Sequence, residues 1–159
     1  MVRPIAHVMD CFRTGPDRPV FSADRGAVRR VYERWRWSVF LSVTVGYGLF
    51  YVCRINLSVV KKPLLDEGVM SATELGMAGS ALFLAYAIGK ACNGPLADRA
   101  NVRRFMSAAL LCSAAVNLVL GFELPFLAFL ALWWVNGWFQ SIGSAPSVVA
   151  LSHWFARSE

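Results

Sequence analysis

Arg54 and Lys90 are the residues in this sequence best placed to do chemistry, because each is a cation set inside a long apolar run. A guanidinium cannot shed its proton in a protein, so Arg54 carries a permanent charge. Their neighbours repeat at helical spacing. Tyr47, Tyr51, Arg54 and Ser58 are spaced 4, 3 and 4 apart; Tyr86, Lys90 and Asn93 are spaced 4 and 3; Asn136, Gln140 and Ser144 are spaced 4 and 4. Each set falls on one helix face. Arg presents a planar fork that grips phosphate or carboxylate with two bonds, and Lys adds a point charge. Tyr47, Tyr51 and Tyr86 supply hydroxyls to complete such a shell. The expected chemistry is binding of a small anion, with phosphate-like ligands matching two cations better than a monocarboxylate. Asn93, Asn136 and Gln140 are candidate cavity-lining residues, with interhelical hydrogen bonding as the alternative.

The elements that hold these residues follow from composition. Of 159 residues, 57% are hydrophobic and only 16% charged, against about a quarter charged in an ordinary soluble domain. The charge is unevenly placed. Eight arginines fall in residues 1–36, and the rest is apolar runs with short charged joints. This is an all-α membrane pattern. The net charge of +6 flanks hydrophobic spans, which argues against nucleic acid as a partner. Cys11, Cys53, Cys92 and Cys112 form no CxxC pair and His7 and His153 form no cluster, so neither a metal nor a cofactor is expected. No nucleophile–base or carboxylate pair stands out, so the chain does not read as an enzyme.

Four spans are expected, roughly 37–60, 75–96, 104–121 and 125–151, the last with Pro146 inside it. Each is long enough for about 30 Å of hydrocarbon. Residues 1–36 read as a polar tail with a short basic-aromatic helix, VRRVYERWRW, at the membrane surface. Lys61–Lys62–Pro63 should close the first span, and Ser71 or Thr73 ahead of Glu74 should cap the second. Lys and Arg concentrate in the tail, in DRANVRR and at the C-terminal end, which places both termini in the cytoplasm of an inner-membrane protein. Arg54, 17 residues beyond Trp37, would sit about 25 Å along the helix, in the outer half of the bilayer, where an outward snorkel is the plain alternative. Lys90 is too deep for that. No span contains Asp or Glu to neutralise either cation.

GPLADRANVRR, residues 94–104, resembles the loop between helices two and three of the major facilitator superfamily. Gly94 would permit close helix approach; Asp98 would bond a neighbouring helix end; Arg99, Arg103 and Arg104 would pair across the cytoplasmic face and gate one transport state. Asn101 stands where the general signature has glycine, and tolerates a left-handed turn.

The likeness narrows with RWRWSVFLSVTVGYGLFYVCRINLSV, AYAIGKACNGPLADRANVRRF and LWWVNGWFQSIGSAPSVVALSHWFARSE, which resemble the first, second and fourth helical regions of the organophosphate:phosphate antiporter family. That resemblance covers residues 34–159. It implies a twelve-helix fold of which this chain supplies the first four helices, and exchange of a hexose phosphate or glycerol 3-phosphate for inorganic phosphate by alternating access. Arg54 and Lys90 match family substrate positions. Ile55 stands where several transporters have Lys, which leaves ligand choice open. The partner arginine on helix seven and a substrate residue on helix five lie outside this chain, so the chain is expected to be an N-terminal fragment that needs the missing C-terminal helices. The family also includes a sensor of glucose 6-phosphate. A receptor signalling to a membrane histidine kinase is therefore the alternative function, and a four-helix protein complete in itself is the third.

Overall fold

The computed structural model describes residues 25–98 and 100–155. The expected tail up to residue 24, Arg99 and the last four residues lie outside them. Among the described residues five helices follow one another: α1 (Arg25–Asp66), α2 (Ala72–Ala97), α3 (Val102–Val119), α4 (Phe126–Ile142) and α5 (Ser144–Trp154).

The first difference from expectation is the length of α1. It runs 42 residues, about 63 Å, and absorbs the basic-aromatic segment expected to lie separately on the surface. Nothing breaks the chain near residue 36: there is no Gly, Pro or cap, and Arg29 Nε bonds Glu33 Oε1 at 3.1 Å one turn on. Nor does Pro63 end the helix. Proline deprives only one carbonyl of a donor, and so near a terminus that loss is small. The stop comes at Gly68, with φ +68°. Val69 N–H donates to Leu64 O at 3.0 Å and Gly68 N–H to Leu65 O at 3.2 Å, the paired bonds of a Schellman ending.

Ser71 then caps α2. Its hydroxyl accepts from Glu74 N–H at 3.2 Å, while Ser71 N–H donates to the Glu74 carboxylate at 2.7 Å. This helix passes through Gly94–Pro95, the expected boundary, and stops at Ala97. Asn101 does not take a left-handed turn. At φ −65° and ψ 106° it caps α3 by accepting from Arg104 N–H at 3.2 Å.

The fourth apolar run is divided at Gly143 into α4 and α5. Pro146 has no N–H for the Ile142 carbonyl, so the regular ladder cannot continue. Gly143 N–H turns to Gln140 O at 3.3 Å instead. Phe50 presses on the break: a Cβ at Gly143 would stand 2.9 Å from its ring. The helices long and apolar enough to cross a membrane are α1, α2 and α3.

The dominant seam joins α2 to α4. Leu75, Ala78, Leu82, Ala85 and Gly89 form the buried stripe of α2, and Phe129, Trp133, Gly137 and Ser141 that of α4. A Cβ on Gly137 would lie 2.6 Å from the Leu82 carbonyl oxygen, and one on Gly89 2.5 Å from Ser141 Oγ. Lipid removes most of the hydrophobic drive between helices, so close approach through small residues is what binds them. Gly94, expected to serve that purpose, has nothing within 4 Å of its Cβ direction; Gly89 and Gly137 hold that place. Helix α1 packs instead on α3 and α5, with Phe50, Met106, Ala109 and Ile142 as the buried cluster.

Candidate anion site

The two intramembrane cations come from helices that do not form a major packing pair. Tyr86 joins them. Arg54 Cζ lies 4.4 Å from the centroid of the Tyr86 ring, and Lys90 Nζ lies 5.9 Å from the same centroid. Tyr51 adds a second face to Arg54 at 5.5 Å. Tyr47 stacks edge-on to Tyr51, with centroids 5.3 Å apart. The structure therefore gathers Arg54, Lys90, Tyr47, Tyr51 and Tyr86 into one group across α1 and α2. Arg54, Tyr47 and Tyr86 are half-buried, and Tyr51 and Lys90 exposed.

The electrostatic balance of this group is incomplete. A cation over an aromatic face gains about 0.5–2 kcal/mol. Placing Arg or Lys at the centre of a bilayer costs about 2.5–3.5 kcal/mol on insertion scales. Among the described residues no carboxylate forms an ion pair with either cation. Arg54 Nε is buried and has no hydrogen-bond partner. The rings thus hold the guanidinium in place and leave its Nε–H without a partner.

The candidate cavity-lining residues lie deeper, between helices. Asn93 is buried and donates to Ser141 Oγ at 2.9 Å, stitching α2 to α4. Asn136 is fully buried; its Nδ2 points to Cys53 O at 3.4 Å and its Oδ1 accepts from Ser113 Oγ at 2.7 Å. Gln140 donates to Ser113 Oγ at 2.9 Å, and its own Oε1 is buried without a partner. Ser113 and Asn117 on α3 join this network although the sequence expectations do not include them. They are spaced four apart in the apolar stretch 108–119, the same signal that marks the other three stripes.

The loop motif is laid out along the same end of the bundle as the N-terminal turns of α1. Asp98 closes α2 as its C-cap, its N–H directed to Gly94 O at 3.4 Å. No ion pair joins it to another described residue. Arg103 lines a groove of about 610 Å³ together with Trp35, Ser42, His153 and Trp154, and the Arg104 side chain is exposed. Tyr32 OH donates to Trp154 O at 2.8 Å, and Arg36 Cζ sits 4.2 Å over the Phe155 ring, so the extended start of α1 clasps the end of α5.

Comparison with known proteins identifies the family. Residues 39–159 match the model of the Major Facilitator Superfamily. The chain is 34% identical over 137 residues to a probable hexose phosphate transport protein of Chlamydia pneumoniae, covering 86% of this chain and 30% of that protein. It is 38% identical over 132 residues to a phosphoglycerate transporter protein of Salmonella typhimurium, covering 83% and 28%. It is 31% identical over 143 residues to the membrane sensor protein UhpC of Escherichia coli, covering 90% and 32%. The chain spans about a third of the length of the curated relatives it matches. No solved structure matches it. A helical membrane chain with cations on its first and second helices, matched over most of its length by such relatives, belongs to the Major Facilitator Superfamily, on the side of its organophosphate:phosphate antiporter family.

Proposed function

We propose that the protein carrying this chain moves a phosphorylated small metabolite, a hexose phosphate or glycerol 3-phosphate, across the inner membrane in exchange for inorganic phosphate. The observation that carries this reading is the pairing of Arg54 and Lys90 on the Tyr86 ring with no carboxylate from any spanning segment. An incoming phosphate supplies the missing countercharge and takes the free Arg54 Nε–H. In this reading α1, α2, α3 and the divided α4–α5 run make four crossings, with the N-terminus in the cytoplasm where the Arg-rich segment stays. The site is completed by residues outside this chain, across the interface between two transporter halves. Gly94, Asp98, Arg99, Arg103 and Arg104 would govern the change between states on the cytoplasmic face.

The test is Arg54→Lys in the complete protein reconstituted in liposomes. Charge is kept and the planar fork is lost, so phosphate exchange should fall at least a hundredfold. Exchange at the wild-type rate would sink the bidentate role. The similarity to a membrane sensor protein supports a second reading, a receptor for the same ligand class that signals to a histidine kinase. Such a protein binds the sugar phosphate in liposomes but shows no exchange on the scale of a transporter.

A further inference from the structure

The helical turn that bears Arg54 is pinned on both sides of it. One residue before, the Cys53 carbonyl faces Asn136 Nδ2 on α4 at 3.4 Å. Two residues after, Asn56 Nδ2 donates to Asn117 Oδ1 on α3 at 2.9 Å. Asn117 Nδ2 in turn donates to Ser113 O at 2.8 Å and reaches Asn136 Oδ1 at 3.3 Å. Ser113 Oγ closes the set on Asn136 Oδ1 at 2.7 Å. Three helices meet in one polar knot, and Ser113 and Asn136 have no exposed surface.

Residues 53 and 56 lie on nearly the same side of α1, and Arg54 is turned about 100° from residue 53. The knot therefore faces α3 and α4 while the guanidinium leans the other way, over Tyr86 of α2. Two anchors three residues apart fix a helix in both of the motions that matter, sliding along its axis and rotating about it. A fork-on-phosphate contact tolerates only about 0.5 Å and 10–20° of error. The α2–α4 seam cannot supply this, because α1 does not share it; Phe50 against Gly143 holds α1 one turn before Arg54, and the polar knot holds the turn itself.

We propose that Asn117 and Asn136 are positioning residues for Arg54: through Asn56 and the Cys53 carbonyl they set the register and rotation of α1 that aim the guanidinium at a phosphate. The inference rests on the anion-site reading above and assigns α3, which carries neither Arg54 nor Lys90, a part in ligand affinity.

The experiment measures inorganic phosphate binding to the complete purified protein, normalised to folded molecules, beside the thermal midpoint. Arg54→Gln comes first; if it binds phosphate like wild type, the anion site itself is wrong and this inference falls with it. Given its loss of binding, Asn117→Leu should weaken phosphate affinity about tenfold in molecules that remain folded. Asn56→Ala breaks the same contact from a position at the exposed side of α1, where folding is tolerant, and should show the same loss. Ser141→Ala is the matched control: it removes a buried polar bond between α2 and α4, lowering the midpoint with phosphate affinity unchanged. Wild-type affinity in Asn56→Ala would overturn the proposal while leaving Arg54 as the ligand residue. So would an equal affinity loss in Ser141→Ala, which would mean that general loosening is the cause.

Discussion

The α2–α4 seam and the Arg54–Tyr86–Lys90 group are built from opposite materials. In the seam, Gly89 and Gly137 let backbones touch, Ala78 and Ala85 are fully buried, and Asn93 is matched to Ser141. In the cation group, Arg54 of α1 reaches over the Tyr86 ring of α2, one nitrogen is buried unpaired, and Lys90 is exposed. The seam is closed by contacts among the described residues; in the proposed reading the cation group is completed by an anion. Stability and function are therefore separated in space, and substitutions should separate them too.

The largest effect should come from Gly137→Leu. A side chain there meets the Leu82 backbone at 2.6 Å and Ala85 Cβ at 3.0 Å, and backbone cannot step aside as a flexible side chain can. Loss of about 3 kcal/mol is expected, read as a collapse of the thermal midpoint in detergent. A midpoint within a degree of wild type would break the contrast from the seam side. Next, Arg54→Gln should leave stability unchanged or raise it by about 1 kcal/mol, because a costly cation is removed. A fall comparable to that of Gly137→Leu would make Arg54 a structural residue and erase the distinction. The smallest effect sharpens it: Tyr86→Leu should weaken phosphate binding about fivefold by removing the ring under both cations, while Tyr86→Phe keeps the ring and most of the affinity. Equal losses in both would assign the hydroxyl, not the face, to the ligand.

Much of this was legible in the residues because membrane helices obey few rules. Apolar run length gave the helices, and Ser71 with Glu74 gave the start of α2. The 4-3-4 spacing of Tyr47, Tyr51, Arg54 and Ser58 put three of the five site residues together. What escaped has specific causes. Pro63 looked like a stop, yet near a helix end it removes only one bond, and Gly68 ended the helix five residues later. Pro146 falls inside the single span expected over 125–151; the structure divides that run at Gly143, where the Phe50 ring of another helix packs. Gly94 was chosen for close approach from its motif, whereas which glycine meets a neighbour depends on the face it shares with Ala85 and Leu82. Asn117 is illegible in sequence because a lone amide between apolar residues gains meaning only when Asn56 and Asn136 arrive from other helices.

The length of α1 has a mechanical consequence. About a third of this 42-residue rod lies on the N-terminal side of Trp37, and there it is tied to the end of α5 through Tyr32 and Arg36. Farther along, the same helix is tied to α3 and α4 through Asn56 and the Cys53 carbonyl. One continuous rod thus links the arginine-rich turns and the end of α5 to the turn that carries Arg54, along a path that does not depend on the α2–α4 seam.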